Sequence, residues 1–179
     1  MKLLLTILLL FFHILNVLAN EDLKEKVDKF EDWQLVCVTK DKNEKCEINH
    51  TIQIENTELS LRIVYQLIKD ENLEYLIEMF SIITPLGVNL TKNTALTFPG
   101  DESQINLSFI KCEVYGCILS INNTIQNSED SKVFGILKKN LLSQDEISIF
   151  LDIFMEEPLK VNGSLKGFEQ SLETLKLKV

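Results

Sequence analysis

Two close pairs of cysteines, Cys37 with Cys46 and Cys112 with Cys117, constrain this chain more than any other feature. Four cysteines allow three connectivities, and sequence alone does not choose among them. Geometry supplies a preference. Cys37 and Cys46 flank a polar loop, Thr39 to Lys45, and two antiparallel strands would bring them together. Cys112 and Cys117 flank Glu113-Val114-Tyr115-Gly116, a hairpin tip in which Gly116 can take a positive φ. We therefore expect the pairs Cys37–Cys46 and Cys112–Cys117. Cross-pairing between the two clusters, pinning one sheet to another, stays open. Loop closure assigns each short ring roughly 2–3 kcal/mol, a sizeable share of the ~5–15 kcal/mol by which a domain is usually stable.

Disulfides imply an oxidising compartment, and the N-terminus carries a matching address. Lys2 precedes an apolar run from Leu3 to Leu18, and Val17 and Ala19 suit the small-residue positions of a cleavage site. We expect residues 1–19 to be a signal peptide cut after Ala19. A retained anchor is the alternative. Thr6, His13 and Asn16 interrupt the run, however, and a spanning helix needs about 20 apolar residues. No later segment approaches that length, so no membrane span is expected after cleavage, and the remainder fits one domain.

The chain carries −9 at pH 7, and losing Lys2 makes it more acidic still; Arg62 is its one arginine. A nucleic-acid binder needs a basic face to neutralise phosphates, so no nucleic-acid partner is expected. Anionic membrane surfaces are disfavoured for the same reason. Asn, Ile, Lys and Leu dominate while Arg, Gly and Pro are scarce, as in an AT-rich genome. Sequons occur at Asn49, Asn89, Asn106, Asn122 and Asn162. A eukaryotic secretory pathway could glycosylate them; in an Asn-rich bacterial chain they arise by chance, and that reading is preferred.

Residues 20–32 are highly charged and read as a mobile leader, with a short helical turn as an option. From Trp33 the period is two. Trp33, Leu35 and Cys37 alternate with Gln34, Val36 and Val38, which suggests a strand buried on both faces or nearly so. Ile48, His50, Ile52 and Ile54 share one strand face, and Leu59, Leu61, Ile63, Tyr65 and Leu67 repeat the pattern. Leu73 to Ile83 also satisfies a helix, but it feeds into the turn signal Thr84-Pro85-Leu86-Gly87 and is read as a strand. Further strands are expected at Thr94–Phe98, through Ile105, Leu107 and Phe109, at Cys117–Ile121 and from Glu146 to Met155. Ser128 can cap a helix through Val133, Phe134, Leu137 and Lys138, although Gly135 weakens it. Phe168, Leu172 and Leu175 fall at i, i+4 and i+7, an amphipathic helix docking one stripe on the core. Roughly eight strands without βαβ alternation argue for an antiparallel sandwich or barrel.

Site chemistry is sparse. Zinc would want Cys or His at spacings like C-x₂₋₄-C twice over, and His50 is the one histidine beyond the apolar leader. A redox-active Cys112/Cys117 pair lacks the C-x-x-C spacing and a thioredoxin-like context. A nucleophile–His–acid arrangement could be built only around His50, which sits on an alternating strand face where packing is the ordinary case. The six glycines are dispersed, so no phosphate loop forms. No cofactor, metal or catalytic residue is expected. A carbohydrate- or lipid-binding sandwich would need an exposed aromatic platform, and Trp33 is expected in the core instead.

Several motifs occur in a telling order: Trp33-x₃-Cys37, Cys46 followed by Ile48, Thr84-Pro85-Leu86-Gly87-Val88, Cys112-x₃-Gly116-Cys117, and Ser164-Leu165-Lys166-Gly167-Phe168. Together they resemble the invasion-associated locus B family of bacterial exported proteins, from Trp33 to about Leu175. Pro85 and Gly87 would make a turn, Gly116 a hairpin tip, and Gly167 a close approach before the last helix. The resemblance implies an immunoglobulin-like antiparallel β-sandwich over residues 33–179, with a C-terminal amphipathic helix and one further short helix. It also implies residence in the periplasm or outer envelope of a Gram-negative bacterium, or secretion from it. The expected activity is non-enzymatic binding to another envelope or host protein. The alternative is an exported thiol–disulfide or other enzyme using Cys112 and Cys117.

Overall fold

Alternating apolar residues build eleven strands and two helices in the computed structural model, which describes residues 23–69, 75–124, 128–153 and 157–179. The expected signal peptide, residues 20–22 of the charged leader, Leu73 and Met155 lie outside the described residues. Five strands follow one another as a meander: β1 (Lys24–Phe30), β2 (Trp33–Lys40), β3 (Asn43–Gln53), β4 (Ser60–Lys69) and β5 (Leu76–Thr84). After them come β6 (Thr94–Phe98), β7 (Asp101–Leu107), β8 (Phe109–Glu113) and β9 (Gly116–Asn122). Helix α1 (Glu129–Ser143), β10 (Glu146–Leu151), β11 (Leu159–Ser164) and helix α2 (Phe168–Lys176) complete the order. The large sheet runs β1-β2-β3-β4-β5-β9-β8 and the small one β11-β10-β6-β7, with every pair antiparallel. The fold is mainly β: two open antiparallel sheets and two helices.

The core follows from the alternation. Trp33, Leu35, Ile48, Leu61, Ile63, Tyr65, Phe80, Ile82 and Leu119 face inward from the large sheet. Leu96, Ile147 and Ile149 of the small sheet join the same cluster, with Leu137 from α1 and Phe168, Leu172 and Leu175 from α2. Burying each such side chain is worth about 1.5–3 kcal/mol in transfer terms. The three α2 residues are those expected from the i, i+4, i+7 spacing, and all are fully buried. Helix α1 starts where Ser128 predicts: the Ser128 side chain accepts from the Ser131 N–H at 3.1 Å. It is then held to the large sheet by the Lys138–Glu78 ion pair at 2.7 Å, and Tyr65 donates its hydroxyl to the same carboxylate. Asn140 donates to Asp101 at 2.8 Å, tying α1 to β7 as well.

Four sequence expectations need correction. The charged stretch read as a mobile leader contains a strand, β1, paired residue for residue with β2 from Lys24↔Thr39 to Phe30↔Trp33. It lacks an apolar stripe because it is an edge strand whose residues mostly face solvent, and charge is how an edge is kept from pairing further. The polar loop between Cys37 and Cys46 is largely strand, closed by a two-residue turn at Asp41 and Lys42, both with positive φ, as a hairpin's right-handed twist requires. The strand expected from Glu146 to Met155 ends at Leu151. There Asp152 turns its carbonyl to the Asn89 N–H, and Ile153 bridges Val88. The run Ile105-Leu107-Phe109 belongs to two sheets, since the chain leaves the small one at Ser108 and enters the large one at Phe109. Strand β2, by contrast, is as expected nearly buried on both faces, fully on one and half on the other.

Candidate functional site

Two groups of the singled-out residues come together. The first ties the start of β2 to the C-terminal helix. Trp33 is buried, its ring meets Phe168 edge-on at 4.9 Å between centroids, and its indole N–H donates to the Ser164 carbonyl at 3.0 Å. Gly167 sits just before α2 with φ +87, and a Cβ there would run into the Phe30 carbonyl. His50 packs 5.6 Å from the Trp33 ring, and its burial pushes the imidazole pKa below its ordinary value against a smaller opposing effect of Asp32. This knot is structural in form: its aromatic members are interior and serve as packing.

The second group is the β8–β9 hairpin. Cys112 and Cys117 are bonded across the pair, with Cα atoms 3.9 Å apart. Val114 and Tyr115 form the turn, and Glu113 faces Gly116. Gly116 has φ +146, and a Cβ on it would strike the Thr84 carbonyl oxygen. The turn end of the hairpin thus lies against the end of β5, where the Thr84 hydroxyl also donates to the Cys117 carbonyl at 3.2 Å. Pro85 follows at once, and Gly87, φ +97 in open space, completes the turn that leads to Val88. Pro85 and Gly116, 31 positions apart, are thereby neighbours by way of Thr84.

The two disulfides have different surroundings. Cys37 is 2% exposed and Cys46 half-buried, joined with Cα atoms 4.1 Å apart. Cys117 is buried, but Cys112 is exposed. Beyond it the tip is apolar and open: Val114 is 93% exposed, Tyr115 64% and Ile110 63%. The polar neighbours Lys111 and Glu113 pair with each other at 2.8 Å. Glu44 approaches the Cys37 and Cys46 sulfurs closely enough to suggest a metal cluster. Both sulfurs, however, are spent in the disulfide, and a disulfide sulfur is not the thiolate that binds zinc.

The ordered motifs now have a common explanation. A family model for invasion associated locus B (IalB) protein matches residues 33–176. The chain belongs to the invasion-associated locus B family. No curated protein matches it. A crystal structure of invasion associated protein B from Bartonella henselae shares the fold at TM-score 0.61, covering 85% of this chain and 95% of that one at 15% identity. The IalB match begins at Trp33, so the charged edge strand β1 precedes the matched residues. Both disulfides, the Pro85–Gly87 turn and the Gly167-Phe168 helix start lie inside them.

Sequence reasoning placed the tip correctly as a hairpin but attached no weight to Val114, Tyr115 or Ile110. Their signal was available: Val114 and Tyr115 lie within, and Ile110 just before, a ring too small to bury them. Of the sequons, Asn49 is buried and its amide donates to Glu47 at 3.2 Å, in keeping with the chance reading there.

Proposed function

We propose that this IalB-family chain is an exported, non-enzymatic envelope protein that works by binding another envelope or host protein through the Cys112–Cys117 hairpin. One observation carries the reading: the exposed apolar tip of Ile110, Val114 and Tyr115 is held rigid by a disulfide and by the seat of Gly116 on Thr84. A backbone already fixed by a disulfide has little freedom left to lose on docking, so a preordered tip binds at lower entropic cost. A tyrosine at such a site is a typical anchor. The two disulfides and the family support an exported protein, which we assign to the periplasm or outer envelope or to secretion. The Bartonella relative is an invasion associated protein, which makes a host surface one setting for the contact.

The test is a photo-crosslinking amino acid placed at Tyr115 and, as a control, at Lys24 on the charged edge. A discrete protein adduct from Tyr115 in native envelopes or with host cells supports the reading. No adduct, or the same adducts from both positions, overturns it. A second reading, thiol–disulfide exchange, rests on the exposure of Cys112, whose sulfur an external thiolate can reach. Titration with mild reductant separates the two: ready, reversible opening of this pair alone supports exchange, and resistance supports the binding reading.

A further inference from the structure

The large sheet has two edges, and they are dressed differently. β1 presents Lys24, Glu25, Lys26, Asp28 and Lys29 with exposed Val27 among them, the charged dressing that keeps an edge unpaired. β8, at the other end, carries exposed Ile110, at which its register with β9 shifts by one residue, and leads into exposed Val114. Among the described residues its only strand neighbour is β9. The backbone there is also aimed outward. Cys112 and Cys117 approach to 3.9 Å between Cα atoms, the close spacing of a non-hydrogen-bonded antiparallel pair. In such a pair the N–H and C=O of each residue point away from its partner. Those of Cys117 point towards β5, which it pairs at Thr84. Those of Cys112 point to the open side.

What fits that edge is written in its sequence. Around Cys112 the order is Ile110-Lys111-Cys112-Glu113-Val114, and it has the same pattern of apolar, charge, centre, opposite charge, apolar when read in reverse. We propose that a second copy of this chain pairs antiparallel with β8 about a twofold axis at Cys112, joining two large sheets edge to edge. This rests on the hairpin being the binding surface and names its first partner. In that register the two Cys112 residues exchange both backbone hydrogen bonds. Lys111 faces the partner's Glu113, and Glu113 the partner's Lys111. Ile110 faces the partner's Val114. Lys111 and Glu113 are two apart, so they share one face of the strand, and their existing contact at 2.8 Å would extend into a four-charge ladder. An isologous contact of this kind closes on itself and stops at two copies. Only a few residues pair on each side, so the dimer is weak and concentration-dependent.

Sedimentation velocity of the signal-cleaved, disulfide-intact chain, from about 10 µM to about 1 mM, should show the mass rising from one copy towards two. Lys111→Glu and Glu113→Lys each place like charges opposite one another at two symmetric points, and each alone should weaken association at least about tenfold. Mixed in equal amounts, the two variants should recover it, because every Glu then faces a Lys across the interface. That recovery separates pairing between copies from the Lys111–Glu113 contact within one, which mixing leaves broken. Near-ultraviolet circular dichroism checks that each variant keeps its fold. A chain monomeric throughout, a dimer indifferent to both substitutions, or a mixture without recovery would each overturn the proposal. A heterologous adduct at Tyr115 from a chain that stays monomeric would end self-pairing while leaving the binding reading intact.

Discussion

In the β2–β3 hairpin the disulfide lies inside the sheet, with β1 beyond one strand and β4 beyond the other, and its turn is Asp41-Lys42. In the β8–β9 hairpin the same bond lies at the sheet's end, with β5 on one side and no described strand on the other, and its turn is Val114-Tyr115. The first hairpin buries its apolar residues and shows charge; the second shows apolar residues at its tip. A cross-strand bond therefore serves two ends. Flanked by strands it adds to a structure already held by pairing and core. At an open edge it closes a turn whose apolar side chains stay in water, the arrangement on which the proposed binding role rests.

The contrast can be broken from either side. Replacing Cys37 and Cys46 together with alanine should cost most, about 3–4 kcal/mol in chemical denaturation, because ring closure and a buried sulfur are both lost. Gly116→Ala should follow at about 2–3 kcal/mol, since its positive φ and the Thr84 carbonyl both resist a side chain. Cys112→Ala with Cys117→Ala should cost only about 2 kcal/mol, the smaller ring and an exposed partner accounting for the difference. If the second pair proves the costlier, the tip is a structural staple rather than a presentation device.

Acid sharpens the other side of the comparison. The folded-state pKa of His50, beside Trp33, is lowered by burial below the unfolded value near 6.5. Its contribution to stability is therefore complete above about pH 6.5 and is lost as pH falls from there through the lowered value. Thermal unfolding followed between pH 7 and 5 should show this decline, and His50→Gln should flatten it. The smallest effect on stability belongs to the tip: Val114→Ser with Tyr115→Ser should stay within about 0.5 kcal/mol of the parent. The same double variant should abolish the binding that the parent shows.

Local signals made much of this legible. Apolar positions two apart in Leu61-Ile63-Tyr65-Leu67 are a strand face wherever they occur, and Phe168-Leu172-Leu175 is a helix stripe by the same reasoning. The cysteine spacings suited hairpins because short polar or Gly-containing connections reverse a chain. β1 was not legible, because a strand covered on one side and wet on both faces needs no apolar stripe. β11 was missed for a related reason: its inner face offers Leu159 and Val161 and then only Gly163, too short an alternation to register. The change of sheet at Ser108 left no mark either, since both sheets ask for the same period of two.

What the sequence determined by itself is therefore local: the antiparallel β class, a preference for two stapled hairpins, the capped start of α1 and the buried stripe of α2. Each depends on residues a few positions apart, whose backbone preferences and spacing act before any tertiary contact forms. Tertiary structure decided which hairpin lies inside the sheet and which at its rim. It also decided that Gly167 must clear Phe30 and Gly116 must clear Thr84, and that Val114 and Tyr115 face water. Exposure is a property of what stands beside a residue. In this fold those neighbours arrive from distant parts of the chain.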